Sequence, residues 1–108
     1  MNEPTPTEDR RDSRRVPIRF MVREGNLGSF EERSGNLSLG GISYSCNHPP
    51  SGSSLELRFF LPGSRDEVRV TGEILRVVQQ GMEFGIHAKF SELPLEAELA
   101  IARYIEQP

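Results

Sequence analysis

Apolar and polar residues alternate along several short segments of this chain. In "VPIRFMVRE", Ile18, Phe20 and Val22 share one parity, and Arg19 and Arg23 take the other. Because successive side chains of a strand point to opposite faces, this pattern predicts a strand with one buried face. The first strand is therefore expected to place its arginines in solvent.

Four further segments carry the same kind of pattern. "GSFEERSGNLSLGGISYS" predicts two short strands around a glycine-rich bend, and "LELRFFL" predicts Phe59 in the core with Phe60 exposed. "EVRVTGEILRVVQQ" starts with Val68 and Val70 facing inward and then changes phase close to Gly72, which is typical of a β-bulge. "MEFGIHAKF" alternates again, with one face formed by Met82, Phe84, Ile86, Ala88 and Phe90.

The end of the chain changes period. In "LPLEAELAIARYIEQ", a three-to-four spacing predicts a helix over about 94–106, with Pro94 in its first turn. The residues expected to face the core are Leu95, Leu99, Ala102 and Ile105. About six antiparallel strands followed by one helix indicate an all-β fold, which removes its strand edges if it closes into a barrel. Residues 1–9 are polar and predict a disordered leader, so the domain is expected to span 10–106.

Composition narrows the function classes. A chain of 108 residues has room for one domain, and its net charge of −3 argues against a general nucleic-acid binder. Cys46 is the only cysteine, so no internal disulfide and no thiolate metal cage is expected. The lack of a membrane-length apolar run or signal-peptide pattern predicts a cytoplasmic protein. No arrangement typical of a catalytic or metal centre is visible, and we expect neither an enzyme nor a cofactor.

The positive charge is concentrated near the start. The stretch "DRRDSRRVPIRF" contains Arg10, Arg11, Arg14 and Arg15, and Lys89 is the only lysine in the chain. Guanidinium groups donate bidentate hydrogen bonds to phosphates and stack on purines, and the ammonium group of lysine is less suited to both contacts. A solvated basic tail, or a nuclear-localisation-like cluster, is the simpler interpretation of this segment alone.

A second motif, "NLSLGGI", contains Asn36, Ser38, Gly40 and Gly41. If the strand continues, residues 36 and 38 point to the same face and present an amide beside a hydroxyl. The two glycines leave the backbone bare, so a flat ligand could approach it. The simpler interpretation is a strand ending in a turn, where Asn and Ser bond their own backbone.

The two motifs together resemble the PilZ domain family of cyclic di-GMP receptors. The matching residues are Arg11 and Arg15, with three residues between them, followed by Asn36-x-Ser38-x-x-Gly41. The resemblance extends from Asp9 to about Tyr104 and implies a six-stranded antiparallel (split) β-barrel with a C-terminal helix. It also implies that the arginine segment, residues 10–15, folds over cyclic di-GMP on the outer face of the barrel.

The resemblance implies a role for each motif residue. Arg11 and Arg15 would contact guanine and phosphate, Asn36 and Ser38 would bind a guanine edge, and Gly41 would permit close approach of the backbone. Many family members have Asp at position 36, and Asn offers one acceptor fewer, at a cost on the order of 1 kcal/mol. In this family, an arginine at the position of Arg10 goes with binding of an intercalated cyclic di-GMP dimer; Arg14 is a further candidate contact.

Three functions follow from these observations. The leading one is a receptor that changes the conformation of residues 10–15 on binding cyclic di-GMP and signals to a protein partner in motility, attachment or polysaccharide output. The second is a PilZ-like interaction module that does not bind the nucleotide, for example in type IV pilus function. The third is a single-strand nucleic-acid binder, against which the net acidity argues.

Overall fold

The computed structural model describes residues 14–25 and 28–106. In those residues, the elements are β1 (Val16–Glu24), β2 (Glu31–Leu37), β3 (Gly41–Cys46), β4 (Ser54–Phe60), β5 (Glu67–Gln80), β6 (Glu83–Ser91) and α1 (Leu95–Glu106). The predicted leader and the predicted ligand residues Arg10 and Arg11 lie outside the described residues. The predicted helix over about 94–106 agrees with α1 to within one residue.

The six strands form a closed antiparallel barrel in the order β1-β2-β3-β6-β5-β4. Closure leaves none of these six strands at a free edge, which is how small β domains avoid pairing with other chains. The strands and terminal helix predicted from the sequence pattern are confirmed, and so is the six-stranded antiparallel barrel that the family resemblance implies. The pairing of β1 with β4, which closes the barrel, is short. It runs from Met21 opposite Arg58 to Glu24 opposite Leu55.

The alternating apolar residues fill the barrel. The buried core comprises Ile18, Phe20, Val22, Leu37, Ile42, Leu55, Leu57, Phe59, Leu61, Val70, Ile86, Ala88, Ile101 and Ile105. Phe59 is buried and Phe60 is exposed, as predicted for neighbouring residues of one strand. Helix α1 joins this core through Ile101 and Ile105, and it falls short of the length and apolar character needed to cross a lipid bilayer.

The predicted core face of the helix is wrong in most of its residues. Leu95 and Leu99 are 68% and 50% exposed, whereas Ile101 is fully buried. Of the predicted stripe, Ile105 is the residue that enters the core. The helix therefore carries two apolar stripes, and the barrel packs on the one built from isoleucines.

Two details of the β5–β6 hairpin also differ from the prediction. The bulge lies between Ile74 and Arg76, where Leu75 is the extra residue, and not close to Gly72. Gly72 is buried, and the packing around it favours glycine, because a Cβ at this position would meet the side chain of Leu57. Met82, predicted to face inward, is 90% exposed because it lies in the turn before β6.

Candidate functional site

A cleft of about 590 Å³ lies on the outer surface of the barrel. Its lining consists of Arg15, Asn36, Ser38, Gly40, Gly41, Ile42, Ser43, Leu75, Arg76, His87, Ala88 and Lys89. We call it the outer cleft. It brings together five of the predicted site residues, from the segment before β1 and from the β2–β3 region. Arg14 is exposed and does not line the cleft.

Strand register explains why residues distant in sequence meet here. Val16 pairs with Leu37, so the residue before it, Arg15, comes beside Ser38. Arg15 and the second motif therefore lie on the same side of the barrel. They are not on opposite sides of the barrel, an arrangement that would have ruled out a ligand common to them.

A continuous row of outward-facing polar residues crosses four strands at the cleft. Asn36 of β2 pairs with Ser43 of β3, Ser43 pairs with His87 of β6, and His87 pairs with Arg76 of β5. Asn36 and Arg76 are exposed, and Ser43 and His87 are half-buried. The row offers an amide, a hydroxyl, an imidazole and a guanidinium in a line, each able to hydrogen-bond a polar ligand.

Ser38 occupies a turn and not the strand that the sequence predicted. β2 ends at Leu37, whose side chain is fully buried. The Ser38 backbone N–H then donates a 2.9 Å hydrogen bond to the carbonyl oxygen of Gly41, and its hydroxyl lies 3.3 Å from the same oxygen. These bonds close the turn and leave Ser38 at the cleft, although it is not part of one strand face with Asn36.

The two cleft glycines have different structural situations. A Cβ at Gly41 would collide with the carbonyl oxygen of Ala88, so glycine allows β3 to approach β6 closely. A Cβ at Gly40 would meet no atom within 4 Å, although its carbonyl oxygen accepts a 2.9 Å bond from the Phe90 N–H. In this structure, the close approach that Gly41 permits is to the backbone of β6.

The electrostatic character of the cleft is positive in an otherwise acidic chain. Arg15, Arg76 and Lys89 line it, and the Lys89 Nζ lies 3.5 Å from a carboxylate oxygen of Glu73. The pKa of His87 is lowered by its burial and then by the nearby charges of Arg76 and Arg15. Burial is the larger cause of the lowered pKa, and the charges of Arg76 and Arg15 act on His87 in the direction that favours anions over cations.

Sequence reasoning missed the residues that β5 and β6 contribute. Arg76, His87 and Lys89 enter the cleft through the pairing of strands that the sequence does not specify. The phase change in "EVRVTGEILRVVQQ" was the available signal, because the bulge at Leu75 is what sets Arg76 opposite His87. Among the described residues, no group of three His, Cys, Asp or Glu side chains could hold a metal ion.

Comparison with known families gives the assignment of the chain. The family profile described as PilZ domain matches residues 8–107. The chain belongs to the PilZ domain family. The predicted relationship is thereby confirmed, and the family is one of receptors and adaptors that bind cyclic di-GMP. No curated protein matches this PilZ domain.

Two solved structures share the fold of this PilZ domain. The Bacillus subtilis inhibitor of motility MotI/DgrA has a TM-score of 0.68 at 17% identity, over 83% of this chain and 46% of that chain. The PilZ domain of CeSA from a cellulose-synthesizing bacterium has a TM-score of 0.58 at 20% identity, over 86% of this chain and 95% of that chain. The present chain thus spans less than half of the length of MotI/DgrA, and at these identities the likeness is one of fold.

Proposed function

We propose that this PilZ domain is a cytoplasmic cyclic di-GMP receptor that signals to a protein partner and is not an enzyme. The observation that supports the proposal is that Arg15, Asn36 and Ser38 line one cleft. The cleft volume of about 590 Å³ is within the range of small-molecule sites. Its positive field suits a ligand with two phosphates.

Each lining group has a complementary part of the nucleotide. Arg15 donates bidentate hydrogen bonds to a phosphate or to guanine O6 and N7, and its planar guanidinium group can stack on a purine. The amide of Asn36 and the hydroxyl of Ser38 bind the polar edge of one guanine. Arg76 of β5 and Lys89 of β6 also line the cleft and add positive charge for the phosphates. Arg10, Arg11 and Arg14 are the further contacts proposed from the sequence, and Arg10 would accompany a second, intercalated ligand.

The path from ligand to partner begins at the segment before β1. Arg15 lines the cleft, and Pro17, two residues later, accepts a 2.7 Å hydrogen bond from the Tyr104 hydroxyl of α1. A change in the conformation of residues 10–15 on binding would therefore reach the surface near the helix. The related structures come from an inhibitor of motility and from a cellulose-synthesizing bacterium, and we propose a partner in motility, attachment or polysaccharide output.

Calorimetric titration with cyclic di-GMP tests the proposal. We expect wild-type binding with an affinity in the micromolar range or tighter, and Arg15→Ala to weaken it at least about tenfold because a charge-assisted contact is lost. Arg19→Ala is the matched control, since Arg19 is an exposed arginine outside the cleft that pairs with Glu32 at 2.9 Å. No heat up to about 100 µM nucleotide would contradict the proposal and favour an interaction module that does not bind it.

A further inference from the structure

Strand β5 extends beyond one of its two neighbours. In the closed barrel every strand has two neighbours, but β4 pairs with β5 only as far as Glu73, whereas β6 pairs with it as far as Gln80. The next backbone bond on the β4 side joins the Ile74 N–H to the carbonyl oxygen of Ser53 at 2.8 Å. Residues 75–80 therefore have a strand on one side only. We call them the β5 edge.

The turn that joins β5 to β6 fixes the hydrogen-bonding pattern of the β5 edge. Gln80 lies opposite Glu83. The turn between them consists of Gly81 and Met82, and Gly81 has a φ of 65°. In such a two-residue hairpin turn the flanking residues are hydrogen-bonded, and bonded and non-bonded pairs then alternate along the ladder. Gln80 and every second residue before it in the regular ladder therefore bond to β6.

Val77 and Gln79 are the intervening residues, so their backbone N–H and C=O groups point away from β6. Across residues 14–25 and 28–106, no backbone hydrogen bond outside the strand ladders reaches them. Val77 is 39% exposed, and Gln79 is exposed as well. Donors and acceptors that repeat along an extended backbone are matched by another extended backbone. The neighbour that this edge can accept is therefore a β-strand.

The β5 edge lacks most of the features that keep exposed edges from pairing. Natural sheets block such edges with lysine, proline or bulges. The edge sequence, LRVVQQ, contains no proline and no lysine, and Arg76 is its one charged residue. The bulge lies at its start, at Leu75, and the pairing is regular from Arg76 to Gln80. The part after the bulge is therefore open to a strand from another molecule.

A second copy of the chain supplies a matching strand. In an antiparallel pair with the twofold axis at Val78, residues equally far before and after position 78 lie opposite each other. Val77 then lies opposite Gln79 of the second copy, and the symmetry creates this pair twice. Both residues direct their backbone groups outward, so each pair exchanges two hydrogen bonds. Val78 meets its own symmetry mate between them.

The charges near the β5 edge are compatible with this register. Arg76 lies opposite the uncharged Gln80 of the second copy, and Glu83 of that copy follows on the next strand, about 10 Å from Arg76. The two Arg76 residues are about 14 Å apart, and the two Glu83 residues about 20 Å. Glu73 lies about 12 Å from Glu83 of the second copy, and it already pairs with Lys89 at 3.5 Å. The shortest of these separations between copies thus joins opposite charges.

The ends of the paired strands fit as well. The turn of the second copy comes beside Leu75, so Met82 of that copy, 90% exposed in the single chain, lies next to a leucine that is 63% exposed. Residues 47–53, which lead into β4 beside Ile74, contain no Asp, Glu, Lys or Arg. No charged side chain of that loop therefore opposes the turn.

We infer that this chain forms a twofold dimer by antiparallel pairing of the β5 edge with the β5 edge of a second copy, centred on Val78. This inference goes beyond cyclic di-GMP binding and does not depend on it, because Val77 and Gln79 do not line the outer cleft. Residues 76–80 span about 17 Å, so the contact is smaller than a standard interface. We expect a weak dimer, half formed at concentrations on the order of 100 µM.

Sedimentation velocity without nucleotide tests the dimer. From about 10 µM to about 1 mM, we expect the wild-type mass to rise from 12.2 kDa towards twice that value. Val78→Lys sets two ammonium groups against each other at the twofold axis, and we expect it to stay at 12.2 kDa throughout the series. The control is Leu99→Lys, which adds the same charge to a residue of α1 that is 50% exposed and should dimerise as wild type does.

Mixing two variants tests the register. Val78→Glu should also be monomeric alone, for the same reason as Val78→Lys. An equimolar mixture of the two should form a heterodimer at least as tight as the wild-type dimer, because position 78 lies opposite itself and the charges now attract. Recovery of the dimer also shows that both variants are folded. A mixture that remains monomeric would refute the pairing of position 78 with itself.

Amide hydrogen exchange of the wild type tests the strand pairing without any substitution. The amides of Val77 and Gln79 should exchange fast at about 10 µM and become protected at about 1 mM. The Val78 amide, which bonds to β6, should be protected at both concentrations and serves as the control. A dimer in which Val77 and Gln79 stay unprotected would overturn the inference. So would a chain that remains monomeric at about 1 mM, which would leave the β5 edge to a strand of another protein.

Discussion

The hydroxyl of Tyr104 donates a 2.7 Å hydrogen bond to the carbonyl oxygen of Pro17. This bond joins the last turns of α1 to the start of β1, across 87 positions of sequence. It holds the beginning of β1 two residues after Arg15, where the outer cleft begins. The helix thus helps to fix the strand from which the arginine segment extends.

Tyr104→Phe is expected to destabilise the domain by about 1 kcal/mol, because it removes one hydrogen bond and leaves the ring in place. Urea unfolding followed by circular dichroism measures the change. Met82→Ala, at an exposed turn, should stay within about 0.5 kcal/mol of wild type. Equal midpoints for Tyr104→Phe and wild type would show that the bond does not hold α1 to β1.

The adjacent glycines of the cleft should respond differently to the same substitution. Gly41→Ala is expected to cost about 2 kcal/mol or more, because the new methyl group collides with the Ala88 carbonyl oxygen. Gly40→Ala should be neutral or slightly stabilising, since the site is open and alanine restricts the unfolded chain. Thermal unfolding of the pair checks this. A melting temperature of Gly41→Ala equal to that of Gly40→Ala would contradict the packing role of position 41.

Arg76 is expected to contribute to ligand affinity although no sequence motif marks it. Arg76→Ala should weaken cyclic di-GMP binding about tenfold, or about 1.4 kcal/mol, through loss of a phosphate contact. The matched control is Arg69→Ala on the same strand, because Arg69 lies outside the cleft and pairs with Glu67 at 2.7 Å. Calorimetry distinguishes the two variants, and equal affinities would place Arg76 outside the binding site.

His87 should make stability depend on pH. Its pKa is lowered from the usual 6.5 by burial and by the charges of Arg76 and Arg15, so the folded state binds a proton less readily than the unfolded chain. The contribution of His87 to the free energy of unfolding is therefore fully present above pH 6.5, and it decreases as the pH falls towards the lowered pKa of the folded state. Urea midpoints at about pH 7.5 and about pH 5.5 measure this dependence, which His87→Gln should reduce. A pH dependence unchanged in His87→Gln would assign it to other groups.

The same histidine should give ligand binding the opposite pH dependence. Two phosphates next to His87 would favour the imidazolium form, so its pKa rises on binding and the complex takes up protons. We expect affinity to increase between about pH 7.5 and about pH 6. Titrations in two buffers with different ionisation enthalpies measure the uptake directly. His87→Gln should abolish it, and no uptake by the wild type would indicate that the phosphates bind away from His87.

The parts of this fold that sequence predicts are those set by local pattern. The alternation through Ile18, Phe20 and Val22 identifies β1, because a strand with one solvent-exposed face must turn its apolar side chains to the other face. The helix is predictable in extent and not in orientation. Leu95 and Leu99 have the same spacing as Ile101 and Ile105, and only the shape of the barrel decides which pair it buries.

The residues of the candidate site likewise fall into those that the sequence predicts and those that it does not. Asn36 and Ser38 stand close together in sequence, and their juxtaposition with Arg15 follows from a family resemblance. His87 and Arg76 face each other because of a register that depends on one extra residue in β5. Pairing between strands is fixed by the packing of the whole barrel, and a phase change locates such an irregularity only to within a few residues.

That extra residue, Leu75, gives the fold a way to diversify. Because Leu75 is unpaired, deleting Arg76 would return β5 to regular pairing and set Leu75 opposite His87, with Val77 still opposite Ile86. The strand N-terminal to the bulge would keep its pairing with β4, and the core would keep Val70. A change of one codon in length could therefore convert a cationic wall of the cleft into an apolar one, and ligand preference in such barrels can evolve by insertion or deletion as well as by substitution.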